Sequence, residues 1–251
     1  MKFFLAIILF FFTFSLLIIS PRVFVGQAEL ASFLSSEELK RISSSICVHL
    51  FYRQLEIGSG TLIEKKQGAY LVLTNAHVVR GVESISIQTP DGKKHKAQVL
   101  ITPHFEHIDI ALLQFDSKNS YQIATWEKNL HIQKGERVLA AGFAREKGLV
   151  FSTGNISFVP DKILKDGYQI GYTSDIKQGM SGGPILSAVS GKLIGINGKS
   201  AFPITNNGYV YEDGSIPSAE LIENMRATSW GIPVQNFIGE LVHSQKVPKK
   251  I

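Results

Sequence analysis

The sequence predicts a mainly β protein, and three features of its pattern support this. Polar and apolar residues alternate at 46–52 and 84–88, as they do in a half-buried strand. Turn-forming sequences such as 90–92 and 190–191 separate such segments at short intervals. Segments with helical spacing are sparse. Many short, closely spaced strands predict a β-sandwich or β-barrels.

The predicted strands run through most of the chain. They cover 46–52, 60–63, 70–74, 84–88, 97–101, 110–115, 138–143, 150–156, 168–173, 185–186 and 193–197. Helical spacing is confined to 35–41, 218–226 and 234–242. Polar residues at 116–120 and 127–136 separate two groups of strands of similar size. We therefore expect two β-rich halves joined by a polar link.

The first 28 residues have the pattern of an export segment. Lys2 is followed by an uncharged apolar stretch at 3–20, and small residues stand at Gly26 and Ala28. The hydrophobic region of a signal peptide has about 7–15 residues and a spanning helix needs about 20, so the length of this stretch falls between the two. Two alternatives remain open, a signal peptide cleaved near Ala28 and an uncleaved membrane anchor. Both predict an exported protein, periplasmic or secreted, and the second adds membrane attachment through residues 3–20.

The distribution of basic residues argues against nucleic acid as a partner. Its 26 basic and 21 acidic side chains give a formal net charge of +5, of which Lys2 and Arg22 contribute two. Three further lysines lie in the polar tail at 246–250. Because no basic stripe with interleaved aromatic residues is present, we do not expect a nucleic-acid-binding protein. No metal-ligand cluster or nucleotide-binding loop is apparent in the sequence, so we expect no cofactor.

Cys47 is the only cysteine, which rules out an intramolecular disulfide. The fold must therefore be held by its core, even in an oxidising compartment. A reactive or pairing thiol is one interpretation of Cys47. We favour the other, a small buried residue in a strand.

Ser181 is the candidate nucleophile. It lies among glycines in the sequence 179–184, and glycine permits backbone conformations in which a substrate carbonyl can approach the main chain. Hydrolysis of an amide also needs a base, a group that orients the base, and donors for the oxyanion. By itself this cluster is equally consistent with a tight turn between strands. Whether Ser181 is a nucleophile or part of a turn therefore depends on which residues could act with it.

His77 and Asp109 are the candidate partners of Ser181. His77 follows the apolar strand that ends at Thr74, where filling of the core poorly explains a titratable ring. Asp109 brings a charge into the apolar run 110–113, and a buried charge needs a partner. A carboxylate that holds the His77 ring in one tautomer accounts for it. The other histidines have ordinary surface or strand-face interpretations; they are His49, His95, His104, His107, His131 and His243.

Three motifs, taken in order, resemble those of the trypsin-like, chymotrypsin-fold serine peptidases. They are Thr74-Asn75-Ala76-His77-Val78-Val79, Asp109-Ile110-Ala111-Leu112 and Gly179-Met180-Ser181-Gly182-Gly183-Pro184. The resemblance covers residues 42–240 and is greatest to small bacterial members without disulfides. The segment 191–197 is similar to the strand that follows the nucleophile loop in this family.

The resemblance implies an all-β fold of two six-stranded antiparallel Greek-key barrels, with the active site in the cleft between them and short terminal helices. The first barrel, in residues 29–120, would carry His77 and Asp109, and the second, in residues 121–251, would carry Ser181. It implies a serine endopeptidase that cleaves protein or peptide substrates through an acyl-enzyme. His77 would be the general base and then the acid, and Asp109 would orient it. The N–H groups of Gly179 and Ser181 would form the oxyanion hole.

One position departs from the best-known members of the family, and another matches trypsin. Members activated by cleavage have an aspartate before the nucleophile, which pairs with a new amino terminus, whereas this chain has Met180. We therefore expect activity that does not depend on trimming to a defined amino terminus. Asp175 stands where trypsin has the aspartate of its specificity pocket, although a surface pair with Lys177 is the alternative interpretation.

The wall of the specificity pocket is the least defined part of the resemblance. By position it would come from Asn197, Gly198 and Ser200, where the family pattern is not clearly reproduced. Few residues follow the second predicted barrel. We therefore expect no peptide-binding PDZ module and do not place the chain among the members that carry one.

Two other functions compete with the protease. Residues 179–183 also fit the Gly-x-Ser-x-Gly motif of α/β-hydrolases, with Asp213 and His243 following in that family's order. The β-type sequence after Ser181 is a poor helix start, which opposes this esterase interpretation. The second alternative is a catalytically silent trypsin-like binding module, although such a module would usually lack one of the three residues.

Overall fold

The computed structural model describes residues 33–82, 84–100, 107–126, 131–202 and 209–237. The chain divides into two units, residues 1–31 and 32–251, and all described residues lie in the second. The predicted export segment and residues 238–242 of the third predicted helix lie outside the described residues. In the described part of the chain, no helix is long and apolar enough to cross a membrane.

The first six strands form a closed antiparallel barrel with the neighbour order β1-β2-β3-β6-β5-β4. Strand β3 lies beside β6, whereas β4, β5 and β6 are successive neighbours, and this is a Greek-key order. The strands are β1 (Cys47–Tyr52), β2 (Leu55–Lys66), β3 (Ala69–Thr74), β4 (Ile85–Gln88), β5 (Lys94–Leu100) and β6 (Ala111–Asp116).

The next six strands form a second closed barrel with the corresponding order β10-β11-β12-β9-β8-β7. They are β7 (Arg137–Ala144), β8 (Gly148–Phe158), β9 (Ile170–Tyr172), β10 (Pro184–Ser187), β11 (Leu193–Lys199) and β12 (Ser229–Pro233). The prediction of an all-β fold with two six-stranded barrels is confirmed. Closure of each barrel leaves no unpaired sheet edge.

Strand β12 was not predicted, because its sequence lacks the alternation that marks a half-buried strand. All five of its residues, Ser229–Pro233, are buried. A strand buried on both faces reads as a short apolar run, and here that run lies between two segments with helical spacing. It nevertheless closes the second barrel by pairing with β11 and β9.

Two helices lie where helical segments were predicted, at 35–41 and 218–226. Helix α1 (Ser36–Ile46) begins after Ser35, whose side chain accepts a hydrogen bond from the Glu38 N–H at 3.1 Å. Helix α3 (Ala219–Arg226) begins after Ser218 in the same way. Helix α2 (Ala76–Val79), which was not predicted, is a single turn that follows β3 and includes His77.

One apolar core cluster contains residues of both barrels. Ile46, Ile63, Leu73, Ile110 and Leu112 of the first half are packed in one cluster with Leu186, Leu193, Ile196, Trp230 and Ile232 of the second. Helix α1 precedes the first barrel in sequence but buries Leu39 against residues of the second, including Leu139 and Ala188. Burial of apolar surface stabilises a fold by about 25 cal/mol per Å². The apolar contacts between the two halves therefore hold them together without a disulfide.

We predict that the Cys47 thiol is inert in the native protein. Its side chain is 1% exposed, and burial raises the pKa of the thiol far above its ordinary value. Only the thiolate reacts, so a thiol reagent such as DTNB should label Cys47 slowly at pH 8 in buffer and quickly in about 6 M guanidinium. Rapid stoichiometric labelling of the folded protein would contradict the buried-strand interpretation.

Candidate active site

A cleft between the two barrels brings the predicted site residues together. It has a volume of about 580 Å³, and both His77 and Ser181 line it. Asp109 lies behind His77 and is only 9% exposed. Other residues that line the cleft are Glu56, Ile57, Gly58, Val78, Phe143, Arg145, Ile176, Lys177, Gln178, Lys199 and Phe202.

His77 is held against Asp109 by its backbone as well as its ring. Strand β3 ends at Thr74, and the helical turn α2 that follows places the His77 N–H 2.8 Å from Asp109 Oδ1. The ring atom Nδ1 lies 2.6 Å from Asp109 Oδ2. The amide of Asn75 donates to the Asp109 carbonyl oxygen at 2.9 Å. These contacts leave Nε2 as the ring nitrogen that can exchange a proton with a group in the cleft.

The Asp109 carboxylate remains ionised although it is buried. Burial alone would raise its pKa, but hydrogen bonds from His77, the charge of His77 and a hydrogen bond from Tyr168 outweigh burial and hold the pKa of Asp109 below its usual value. The Tyr168 hydroxyl donates to Asp109 Oδ2 at 2.5 Å. A buried carboxylate with three donors satisfies the rule that buried charges are paired.

Ser181 lies in a loop that only glycine can form at two positions. Gly179 and Gly182 both have positive φ angles, +97° and +85°. A Cβ atom at Gly182 would lie 2.2 Å from the Ser59 carbonyl oxygen, far inside contact distance. The close approach turns Ser181 into the cleft, where its hydroxyl donates to the Gly198 carbonyl oxygen at 3.2 Å.

Two backbone N–H groups beside Ser181 have no acceptor. In the part of the chain that the structure describes, the N–H groups of Gly179 and Ser181 make no hydrogen bond, and both residues line the cleft. The carbonyl oxygen of Gln178 accepts from the Arg145 N–H at 3.0 Å. Because N–H and C=O of a trans peptide point in opposite directions, this bond directs the Gly179 N–H away from Arg145.

Strand β2 of the first barrel holds this loop in place through Ser59 and Thr61, which were not among the predicted site residues. The Ser59 hydroxyl donates to the Gly179 carbonyl oxygen and accepts from the Phe143 N–H, both at 2.7 Å. The Ser59 N–H donates to the Ser181 carbonyl oxygen at 2.9 Å. Thr61 adds a bond to the Gly182 carbonyl oxygen at 3.0 Å. The sequence 58–61 shows only a small, polar stretch within a strand, and nothing in it indicates these long-range contacts.

Met180 occupies an apolar position in the loop. Its side chain is packed in a buried cluster of the second barrel, and its sulfur accepts from the Lys177 N–H at 3.2 Å. Its backbone also approaches Gly142, where a Cβ atom would lie 2.7 Å from the Met180 Cα. Packing of a neutral side chain therefore anchors this residue.

The structure corrects the tentative assignment of Asp175 and Asn197 to the specificity pocket. The Asp175 side chain is 72% exposed and pairs at 2.6 Å with Nζ of Lys177, which lines the cleft, whereas Asp175 itself does not. Asn197 is fully buried, where its amide donates to the Ala141 carbonyl oxygen and its carbonyl accepts from Tyr172. A carboxylate that is exposed to solvent and paired with a neighbouring lysine does not form the base of an enclosed pocket.

Gly198 and Ser200, the other two residues predicted for the pocket wall, line the cleft. His49 also lines it, although its sequence suggested an ordinary strand position. Its ring is stacked on Phe143 with the ring centroids 4.3 Å apart. Desolvation by burial lowers the pKa of His49, and Lys94 lowers it further, against the opposing effect of Glu56.

The fold excludes the α/β-hydrolase alternative. Ser181 lies in a loop that leads into strand β10 of a closed antiparallel barrel, whereas the nucleophile of an α/β-hydrolase lies between a strand and a helix. Asp213 forms an exposed ion pair with Lys162 at 2.7 Å. His243 lies outside the described residues.

Comparison with known proteins places this site in a family. The chain is 31% identical over 150 residues to the serine protease Do-like HtrA of Bacillus subtilis, a match that covers 56% of this chain and 32% of that protein. It is 32% identical over 166 residues to the periplasmic pH-dependent serine endoprotease DegQ of Escherichia coli, covering 64% and 35% of the two chains. The chain therefore spans about a third of the length of the curated relatives it matches.

A solved structure shares the fold. The serine endoprotease from Yersinia pestis superimposes with a TM-score of 0.62 at 24% identity, over 84% of this chain and 66% of that one. Residues 58–196 match the family described as the trypsin-like peptidase domain, and His77, Asp109 and Ser181 all lie inside this range. Because the matched residues make up more than half of the sequence, this chain belongs to the trypsin-like peptidase domain family.

Proposed function

We propose that the protein is a serine endopeptidase in which Ser181, His77 and Asp109 act as a catalytic triad. The observation that carries this proposal is the contact of 2.6 Å between His77 Nδ1 and the buried Asp109 carboxylate, in the same cleft as Ser181. Membership of the trypsin-like peptidase family supports the reaction class. The HtrA and DegQ relatives are named as serine proteases, which supports the same class.

The reaction begins when the Ser181 hydroxyl turns from the Gly198 carbonyl to His77 Nε2. Such hydrogen bonds commonly tighten only when substrate is bound. His77 then takes the hydroxyl proton as Ser181 Oγ attacks the scissile carbonyl carbon. Asp109 holds the ring in the tautomer with a proton on Nδ1 and stabilises the imidazolium that forms.

The tetrahedral intermediate carries a negative charge on its oxygen. The unpaired N–H groups of Gly179 and Ser181 are the donors for this oxyanion, and Ser59 holds the Gly179 carbonyl in place through its bond of 2.7 Å. A preorganised donor of this kind is worth about 2.7–4 kcal/mol of transition-state stabilisation. His77 next returns the proton to the leaving amine, and water hydrolyses the acyl-enzyme by the reverse use of the same groups.

Substrate binding is assigned to the cleft wall at Gly198 and Ser200. Both residues line the cleft, and the backbone of Gly198 offers hydrogen-bonding groups to an extended peptide. The substrates are accordingly protein or peptide chains. Asp175 is not assigned to substrate binding, because its exposed carboxylate is paired with Lys177.

We further propose that the protein works outside the cytoplasm. The relatives from Haemophilus influenzae and Escherichia coli are named as periplasmic. The apolar stretch 3–20 with small residues at Gly26 and Ala28 supports export of this chain. The alternative of an uncleaved anchor would keep the peptidase at the membrane.

We predict that a fluorophosphonate probe labels the purified protein at Ser181 and that labelling depends on His77. Ser181→Ala should abolish labelling, and His77→Ala should slow it roughly 10²–10⁴-fold, because a hydroxyl without a general base is a weak nucleophile. Gel fluorescence and intact-mass analysis measure both effects.

Asp213→Ala is the matched control, because Asp213 belongs to the excluded hydrolase alternative and lies in an exposed ion pair with Lys162. It should be labelled like the wild-type protein. Absence of labelling in a folded wild-type protein would favour the silent binding module. Labelling that survives in Ser181→Ala would place the nucleophile elsewhere.

We predict that Asp109→Asn reduces kcat by about 10⁴-fold, the loss known for this change in a Ser-His-Asp triad. The same variant should be less stable than wild type at pH 7. Because the pKa of Asp109 is lowered by folding, its ionised form contributes stability above the unfolded pKa of about 3.9, and this contribution is lost as the pH falls through the folded pKa. Urea unfolding at pH 7 and pH 3 should show the stability difference shrinking at the lower pH. A difference of equal size at both pH values would oppose this account.

We predict that Met180→Asp destabilises the protein by about 3–5 kcal/mol, the cost of an uncompensated buried charge. Met180 is packed among apolar residues of the second barrel, and no zymogen-type ion pair is needed to hold the loop. Met180→Leu, which keeps volume and polarity, should cost less than about 1.5 kcal/mol and keep probe labelling. Chemical denaturation measures both variants, and an active, stable Met180→Asp protein would show that a cation is available to this position.

A further inference from the structure

Tyr168 reaches the Asp109 carboxylate from the second barrel. Its side chain is 1% exposed and is packed in the core that the two barrels share. Its hydroxyl donates to Asp109 Oδ2 at 2.5 Å, the same oxygen that lies 2.6 Å from His77 Nδ1. The carboxylate is thus held by His77 from the first barrel and by Tyr168 from the second.

The Tyr168 ring occupies the space in which residue 198 would have a side chain. A Cβ atom built at Gly198 would lie 2.3 Å from Tyr168 Cε1 and 2.5 Å from its hydroxyl oxygen. Gly198 is also the residue whose carbonyl accepts from Ser181 at 3.2 Å. Residue 198 must therefore be glycine for the Tyr168 ring to occupy its position beside the site.

The surroundings of Tyr168 keep its hydroxyl protonated and its ring in place. Burial and the negative charge of Asp109 raise the pKa of Tyr168 well above its ordinary value, and Asp166 and Tyr172 act in the same direction. The Lys199 ammonium lies 4.1 Å from the ring centroid and 3.8 Å from Asp166. The hydroxyl is consequently a hydrogen-bond donor throughout the working pH range.

The backbone near Tyr168 is joined to Asp109 as well. The Asp109 N–H donates to the Asp166 carbonyl oxygen at 2.9 Å. Asp166 has a positive φ of +68°, so this short loop is shaped for the contact. Both the main chain and the carboxylate of Asp109 are therefore tied to residues 166–168.

We propose that Tyr168 is a positioning residue of the active site, which fixes the Asp109 carboxylate by a hydrogen bond from the space left open by Gly198. This inference rests on the proposed triad. Asp109 Oδ1 accepts from the His77 N–H, and Oδ2 contacts both the His77 ring and the Tyr168 hydroxyl. Rotation of the carboxylate would therefore break hydrogen bonds to both barrels. The hydrogen bond from Tyr168 also partly offsets the negative charge on Oδ2. Asp109 therefore stabilises protonated His77 less strongly than it would without the phenol.

The first test is Tyr168→Phe, which removes only the hydroxyl. We expect kcat to fall about tenfold, in line with the loss of a hydrogen bond to a charged group, while KM changes less than twofold. Without the phenol, Asp109 stabilises protonated His77 more strongly, so the acid limb of the kcat/KM profile should move to higher pH. A fluorogenic peptide selected from a library with the wild-type protein serves as substrate.

Tyr70→Phe is the matched control for loss of a buried tyrosine hydroxyl. Tyr70 is fully buried in the first barrel, where its hydroxyl donates to the Asn119 carbonyl oxygen at 3.0 Å. Tyr70→Phe should be destabilised about as much as Tyr168→Phe, but it should keep the wild-type kcat and the wild-type acid limb of the kcat/KM profile. Equal effects of the two substitutions on kcat and on the acid limb would overturn the positioning role.

A double substitution tests the relation between Tyr168 and Gly198. Gly198→Ser alone should destabilise the protein, because its Cβ would overlap the tyrosine ring. In Tyr168→Leu the outer ring atoms are absent, and adding Gly198→Ser returns a hydroxyl beside Asp109. We expect the double variant to recover at least part of the kcat that Tyr168→Leu loses. A double variant no better than Tyr168→Leu would contradict the shared-space argument.

An NMR titration separates failure of this inference from failure of the proposed function. The His77 ring resonances can be followed in full-length Ser181→Ala protein, with and without Tyr168→Phe, so no activity is needed. The titration midpoint should rise on removal of the phenol. An unchanged midpoint overturns the role of Tyr168 even if the wild-type protein is labelled by fluorophosphonate, whereas absence of that labelling with a shifted midpoint overturns the peptidase alone.

Discussion

The buried carboxylate of Asp109 is the constraint on which the rest of the site depends. A charge that is 9% exposed needs donors within hydrogen-bond distance, and they come from both halves of the molecule. His77 provides its ring and its backbone N–H from the turn after β3. Tyr168 provides its hydroxyl from the loop before β9. These hydrogen bonds to one charge therefore join the two barrels at the candidate active site, in addition to the core that they share.

The loop around Ser181 meets a second constraint, which is close packing. Gly182 must lack a side chain because the Ser59 carbonyl oxygen stands where its Cβ would be. The same closeness lets β2 hold three carbonyl oxygens of the loop, those of Gly179, Ser181 and Gly182. Among the residues that the structure describes, the N–H groups of Gly179 and Ser181 stay free in this loop, because the carbonyls of the same peptide units, those of Gln178 and Met180, accept from the N–H groups of Arg145 and Gly183. Rigid donors of this kind are what stabilise an oxyanion without reorganisation during the reaction.

The predictable and the unpredictable parts of the fold differ in their burial. Strands such as β4 alternate between buried and half-buried residues, and this alternation is visible in the sequence. Strand β12 is buried throughout and gives no periodic signal. The helices α1 and α3 were predictable because Ser35 and Ser218 mark their starts through local bonds. Local interactions are encoded within a few residues, whereas closure of a barrel is not.

The candidate site likewise has features that the sequence predicts and features that depend on contacts between distant segments. The sequence by itself determined the chemical types at the site, since an isolated charge at Asp109, a ring at His77 and glycines around Ser181 are all unusual where they stand. Only the tertiary structure decided that Asp175 turns to the surface, that Ser59 bridges to a loop 120 residues away, and that Tyr168 reaches Asp109 across 59 residues. Hydrogen bonds and packing between distant segments depend on distances that exist only after both barrels have closed, and no local pattern of residues specifies them.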